Sequence, residues 1–178
     1  MSVEGQYEAM VHQWTDVVNH LPRMVDLVVN LGAQHVLELG TRDGVSTRAW
    51  LMGLSVTGGR LTTVDLLPAP PLESGQVPWT HIVGSDMDPD VVERLREAGP
   101  YSVVFIDTSH EFQHTMDEIA TYWPMVAEGG CMCFHDLYLD ETGGTKPGPV
   151  LQAITDTLLK DHAMVSYDDS HGFGIVKR

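Results

Sequence analysis

The chain is short of positive charge. Its 178 residues carry 10 Lys plus Arg against 25 Asp plus Glu, and the cations form no cluster. Binding to nucleic acid requires grouped cations that neutralise phosphates, so neither nucleic acid nor an anionic membrane is an expected partner. Long apolar runs are missing too. None approaches the roughly 20 residues needed to cross a bilayer, so no membrane span is expected. The opening stretch MSVEGQYEAMVHQW lacks a basic region followed by an apolar core, which argues against a secretory leader and for a cytoplasmic location. There are only two cysteines, Cys131 and Cys133. Two apart in a candidate strand they point the same way, so reduced core thiols are expected rather than a disulfide. Repeats and low-complexity tracts are also absent. What remains is an ordinary globular balance, 43% hydrophobic and 20% charged. The length suits one domain with a core that needs no staples.

Apolar spacing sets out the elements. Met10, Trp14, Val17, Val18 and Leu21 recur at helical intervals and predict a helix over 6–20. Pro22 opens a second helix that Gly32 ends. Strands are expected at 35–39, 60–65, 80–85, 101–107 and 129–136, with helices at 44–53, 88–97, 110–124 and 150–160 between or after them. The stretch PAPPLESGQVP, 68–78, is too broken for regular structure. AMVSYDD and GFGIVKR form a last strand pair around a turn near Ser170–Gly172. Strands apolar throughout suit a parallel sheet covered on both faces. The prediction is therefore a doubly wound α/β domain, mostly parallel, with an antiparallel C-terminal strand pair. It is expected as one unit, with N-terminal helices over 1–32 and the core over 33–178.

In such a sheet ligands bind at the carboxyl ends of the strands. Each predicted strand there ends in polar groups. The first ends Glu38-Leu39-Gly40-Thr41-Arg42-Asp43-Gly44, the second on Asp65, the third on Gly84-Ser85-Asp86, the fourth on Asp107 and the fifth on His135-Asp136. Glycines before a helix let backbone approach a ligand closely. An acid ending the second strand can accept from two ribose hydroxyls. Together they point to an adenosine-type ligand. The spacing G-x-G-x-x-G of dinucleotide sites is absent, which argues against an NAD-type oxidoreductase.

ELGTRDG, TTVD, GSD, FIDTSH and GGCMCFHD, in that order, resemble class I S-adenosylmethionine-dependent methyltransferases. The likeness runs over 35–136. That family opens with an acid and three alternating glycines; here Arg42 stands in the middle glycine's place. The resemblance implies a Rossmann-like fold with S-adenosylmethionine as cofactor. Glu38, residues 40–44 (Gly40, Thr41, Arg42 and Gly44 among them) and Ser46 would approach it, with Asp65 and Leu66 at the ribose. Gly84, Ser85 and Asp86 would lie near the adenine, and Asp107 beside the cofactor.

A branch of small-molecule O-methyltransferases acting on macrolide sugars, with cephalosporin-hydroxylase-type relatives, is closer still. Its mark, I-D-x-x-H and then G-G-x-x-x-x-(acid or His)-D, matches Ile106–His110 and Gly129–Asp136. By that resemblance Asp107, His135 and Asp136 hold a divalent metal, Mg or a transition metal, and His110 is the catalytic base. Many relatives have an acid where His135 stands. A nitrogen ligand suits Mn, Fe, Ni or Zn better than Mg. The chemistry is coherent: methyl transfer needs an acidified hydroxyl and a proton acceptor. The acceptor is expected to be a small hydroxylated molecule, and a homodimer is compatible with the chain. The glycine-rich segment 143–149 is placed to act as a lid. A cofactor-binding protein of the same fold without methyl transfer is the alternative.

Overall fold

The structure, a computed structural model, describes residues 1–139 and 146–178. Residues 143–145 of the segment proposed as a lid therefore lie outside the described residues. In chain order the elements are α1 (Val3–Val11), α2 (Leu21–Leu31), β1 (His35–Leu39), α3 (Val45–Thr57), β2 (Arg60–Asp65), β3 (Trp79–Val83), α4 (Pro89–Ala98), β4 (Tyr101–Ile106), α5 (Phe112–Tyr122), β5 (Val126–His135), α6 (Pro149–Asp156), β6 (Met164–Tyr167) and β7 (Phe173–Lys177).

The seven strands form one sheet in the order β3-β2-β1-β4-β5-β7-β6. The first five run parallel, and β7 is antiparallel to both its neighbours. Alternation along each strand divides the core in two. Val104, Ile106, Met132 and Phe134 face α4, α5 and α6, where Leu95, Ile119 and Ile154 meet them. Val103, Phe105, Cys131 and Cys133 face α1, α2 and α3, against Met24, Val28, Trp50 and Leu54. Burying each of these larger side chains contributes about 1.5–3 kcal/mol. Both cysteines are buried on one face with their sulfurs 3.8 Å apart, so no disulfide joins them.

The strand order reverses between β1 and β4. Crossovers leave those strands toward opposite faces of the sheet, so a crevice opens at their carboxyl ends. The expected elements are in place, with different edges. The predicted single helix over 6–20 is wrong. α1 stops at Val11, and a separate 3-10 turn covers Val18–His20. Periodicity misled there because Trp14, counted into the apolar face, is 97% exposed. The chain instead bends so that Met10 and Val17 are buried separately, which brings Thr15 and Asp16 to the glycine loop. β5 begins three residues earlier than expected, and α3 runs on to Thr57, where Gly58 in a left-handed conformation ends it. Among the described residues no helix is long and apolar enough to cross a membrane.

Candidate functional site

The β1–α3 loop is built around a close approach. Gly40 N–H donates to the Val64 carbonyl and Asp107 N–H to the Leu39 carbonyl, each at 3.0 Å, which draws the tips of β1, β2 and β4 together. Gly40 has φ +92°, and a Cβ there would stand 1.9 Å from the Asp107 carbonyl oxygen. Only glycine fits. Arg42 adopts φ +45°, a left-handed conformation that accounts for a glycine at this place in the resembling family. Its side chain reaches Asp16, 3.8 Å away.

Asp65, at the end of β2, ties this loop down. Its Oδ2 accepts from the Thr41 and Arg42 amides at 2.9 and 2.7 Å, and its Oδ1 from the Leu67 amide at 2.9 Å. Glu38 has a different place from the one the resemblance suggests. It is fully buried beneath the loop, accepting from the Ser46 and Thr47 hydroxyls at 2.6 Å each. Burial outweighs those two bonds and pushes its carboxyl up to about 8. Glu38 thus fastens the first turn of α3 to β1 and lines neither cavity.

Two cavities meet at this loop. One, of about 310 Å³, is lined by Gly40, Asp65, Leu66, Gly84, Ser85, Asp86, Asp107 and Thr108. The other, about 150 Å³, lies against Thr15, Asp16, Thr41, Ser46 and Asp107. Gly40, Arg42 and Asp107 border both, so the two form one continuous cleft along the strand tips. Gly44 borders neither; the side chains of Leu72 and Pro70 cover it.

Beyond Asp107 the character changes. His110 Nε2 lies 3.2 Å from Asp107 Oδ1 and 2.9 Å from Asp136 Oδ2. His135 Nδ1 lies 3.1 Å from Asp136 Oδ2 and 3.6 Å from Asp107 Oδ1. The His135 Nε2–H donates to the Ser170 carbonyl at 3.0 Å. A carbonyl only accepts, so the proton on that ring nitrogen is assigned and Nδ1 is left facing the carboxylates. Burial pushes both imidazoles down, yet bonds to the two aspartates prevail and raise His110 to about 9 and His135 to about 11. Burial likewise pushes Asp107 up, but the histidine bonds hold it at about 2, and they hold Asp136 well below the usual carboxylate range.

Asp107, His110 and Asp136 each offer one ligand atom, all within 4.8 Å of one another. His135 adds a buried nitrogen whose other N–H is held by a backbone carbonyl, the support typical of ligating histidines. This donor set fits a divalent cation. All five non-glycine residues of positive φ among the described residues gather at this edge: Arg42, His110, Asp136, Ser170 and His171. Strain of this kind persists where surrounding structure over-determines it, and it clusters at functional sites.

Several participants escape a reading of the sequence. His171, in the β6–β7 turn, stands 3.3 Å from Asp136 Oδ1, and His20 meets the Ser170 carbonyl at 3.3 Å. No local signal marks either, because the antiparallel return of β7 brings that turn to the site. His114 and Glu118, by contrast, carry a signal. They lie four apart on the helix that follows β4, so they share a face, and they meet Asp86 across the cleft wall.

With this geometry in place, comparison with known proteins is informative. No curated protein matches the chain. Among solved structures, MycE methyltransferase of the mycinamycin biosynthetic pathway, in complex with Mg and SAH, superposes with a TM-score of 0.66 at 19% identity over 90% of this chain. This chain spans only 49% of that protein's length. The O-methyltransferase from Bacillus cereus in complex with SAH gives a TM-score of 0.65 at 16% identity, covering 98% of this chain and 88% of that one. The SAH-bound methyltransferase from Podospora anserina gives 0.66 at 15%, covering 98% and 86%. At such identities these likenesses establish the fold. The methyltransferase-domain family itself matches residues 37–137, more than half of the chain and the whole run from β1 to the aspartate after β5. The chain belongs to that methyltransferase-domain family.

Proposed function

We propose that the protein is an S-adenosylmethionine-dependent O-methyltransferase acting on a small hydroxylated molecule. One observation carries this reading: Asp107 borders the cleft of the glycine loop, Asp65 and Asp86, and the same residue belongs to a cluster with Asp136, His110 and His135. The Mg and SAH of the MycE complex and the SAH of the other two methyltransferases point the same way.

The residues divide the work. A carboxylate has about four acceptor sites. Three on Asp65 hold backbone amides, and the remaining one faces a ribose hydroxyl. The glycine loop approaches the amino-acid end of the cofactor, and Asp86 its base. Bound S-adenosylmethionine would supply a methyl group to the acceptor oxygen, which loses its proton as it takes that carbon. The hydroxyl proton passes to His110 Nε2. The left-handed backbone of His110 and the bonds from Asp107 and Asp136 hold its ring beside Asp107, which borders the cleft. Fixing the reactants in this way supplies several kcal/mol. Asp107, Asp136 and His135 would hold a divalent cation, whose charge makes a nearby hydroxyl more acidic and leaves His110 as the base. The mixed nitrogen and oxygen set favours Mn, Fe, Ni or Zn over Mg.

Thermal-shift titration with S-adenosylhomocysteine and NAD tests the cofactor. The melting temperature should rise with the first and stay put with the second. Stabilisation by NAD alone would overturn the reading. A screen of hydroxylated metabolites for methyl uptake then identifies the acceptor.

A further inference from the structure

Helix α5 presents a row of polar side chains at positions i, i+4 and i+8, namely His114, Glu118 and Tyr122, toward the turn between β3 and α4. A polar row on a buried helix face is costly unless each member has a partner. Here the partners converge on one residue. His114 Nε2 lies 3.1 Å from Asp86 Oδ2. The Tyr122 hydroxyl donates to the Asp86 backbone carbonyl. Glu118, fully buried, lies under His114 with its Oε1 3.6 Å from that ring nitrogen, and it accepts from the Thr108 hydroxyl at 2.7 Å. Thr108 follows Asp107 directly, so the row is braced against the tip of β4.

The grip acts on Asp86 in a specific way. It takes up Oδ2 and the backbone carbonyl. Oδ1 meets the Ser85 hydroxyl at 3.5 Å, and Asp86 lines the cleft. A short turn that holds a carboxylate this way loses little entropy when a ligand donates to it. We propose that His114, Glu118 and Tyr122 are positioning residues that set Asp86 as a fixed acceptor, making the cleft select a purine bearing an exocyclic amino group over one bearing a carbonyl there. The role rests on the S-adenosyl reading of the cleft. An amino group donates to the Asp86 carboxylate. A carbonyl sets two acceptors against each other, and a site built for a donor rejects such a ligand strongly. Burial, with Asp86 adding to it, pushes Glu118 up to about 9, so Glu118 is neutral beside Asp86 and the negative charge stays on the residue that meets the ligand.

The test compares dissociation constants for S-adenosylhomocysteine and S-inosylhomocysteine by calorimetry, for the wild type and for His114→Ala, His114→Gln and Tyr122→Phe. The wild type should prefer the adenosyl compound. His114→Ala and Tyr122→Phe should each reduce the preference about tenfold, the effect of one lost hydrogen bond. His114→Gln, which keeps an N–H donor, should restore most of it. Melting temperatures identify any variant that fails to fold, and the remaining variants then decide. Folded variants that lose affinity for both compounds equally, with the preference unchanged, overturn the proposal and leave a purely structural role. A wild type that binds neither compound overturns the S-adenosyl reading itself, a different result.

Discussion

The two ends of the cleft are wired differently. On the β1–β2 side each carboxylate is satisfied by neutral donors. Asp65 takes three backbone amides, and Glu38 takes two hydroxyls. On the β4–β5 side Asp107 and Asp136 are satisfied by His110 and His135, and each imidazole leans on both acids. The first arrangement is a scaffold held by backbone amides and hydroxyls, with no charged partner. The second is an ionic cluster whose members depend on one another and on whatever cation or proton is present. The proposed function assigns binding to the first and proton transfer to the second.

The sharpest way to break this contrast is His110→Ala. Loss of a positioned base should lower turnover about 10²–10⁴-fold, while the thermal shift with S-adenosylhomocysteine is retained. Full activity on the acceptor would remove His110 from the chemistry. The complementary variant, Asp65→Ala, loses both the loop's anchor and the ribose acceptor. It should weaken S-adenosylhomocysteine binding about 10–100-fold by calorimetry. Binding unchanged from wild type would show that the cofactor lies elsewhere.

Metal removal sharpens the comparison further. A base works only when deprotonated. In protein stripped with EDTA, the aspartates hold the His110 proton up to about 9, so residual activity should rise as pH climbs through that value. If Mn or Zn engages those aspartates, adding it back should move the rising limb to lower pH. A pH–rate profile indifferent to both would separate His110 from the metal-binding carboxylates.

The last effect concerns stability. Glu118 has its carboxyl raised from the ordinary 4.5 to about 9. A raised acid favours the folded state below its unfolded value, and that contribution fades as pH rises toward the folded one. Between pH 5 and 8 the wild type should therefore lose stability relative to Glu118→Gln, on the order of a few kcal/mol, in urea melts at several pH values. Parallel curves would mean that Glu118 is ionised in the folded protein.

How much of this was legible depended on how local each cause is. The boundaries of β1 and β2 could be read to the residue, because Gly40 closes the first and Asp65 ends the second after a stretch rich in β-branched and apolar side chains. Asp107, His110 and the His135–Asp136 pair stood out for the same reason, as charge where an apolar run stops. The helix over 6–20 failed because spacing alone cannot say whether Trp14 has anything to pack against. His171 was invisible, since it reaches Asp136 only through the β5–β7 pairing. Glu38 was placed with the cofactor but is buried beneath the loop. Its type was readable from the motif, and its direction depended on α3 supplying Ser46 and Thr47 above it.

Taken alone, the order of residues determined the alternation of strands and helices and the polar punctuation at each strand's end, because period, glycine and charge act over a few neighbours. The folded chain alone decided that those ends converge, that two imidazoles bridge two aspartates, and that one face of α5 grips Asp86. Those contacts join segments tens of residues apart, and only the reversal of strand order between β1 and β4, with β7 folded back beside β5, brings them within hydrogen-bonding reach.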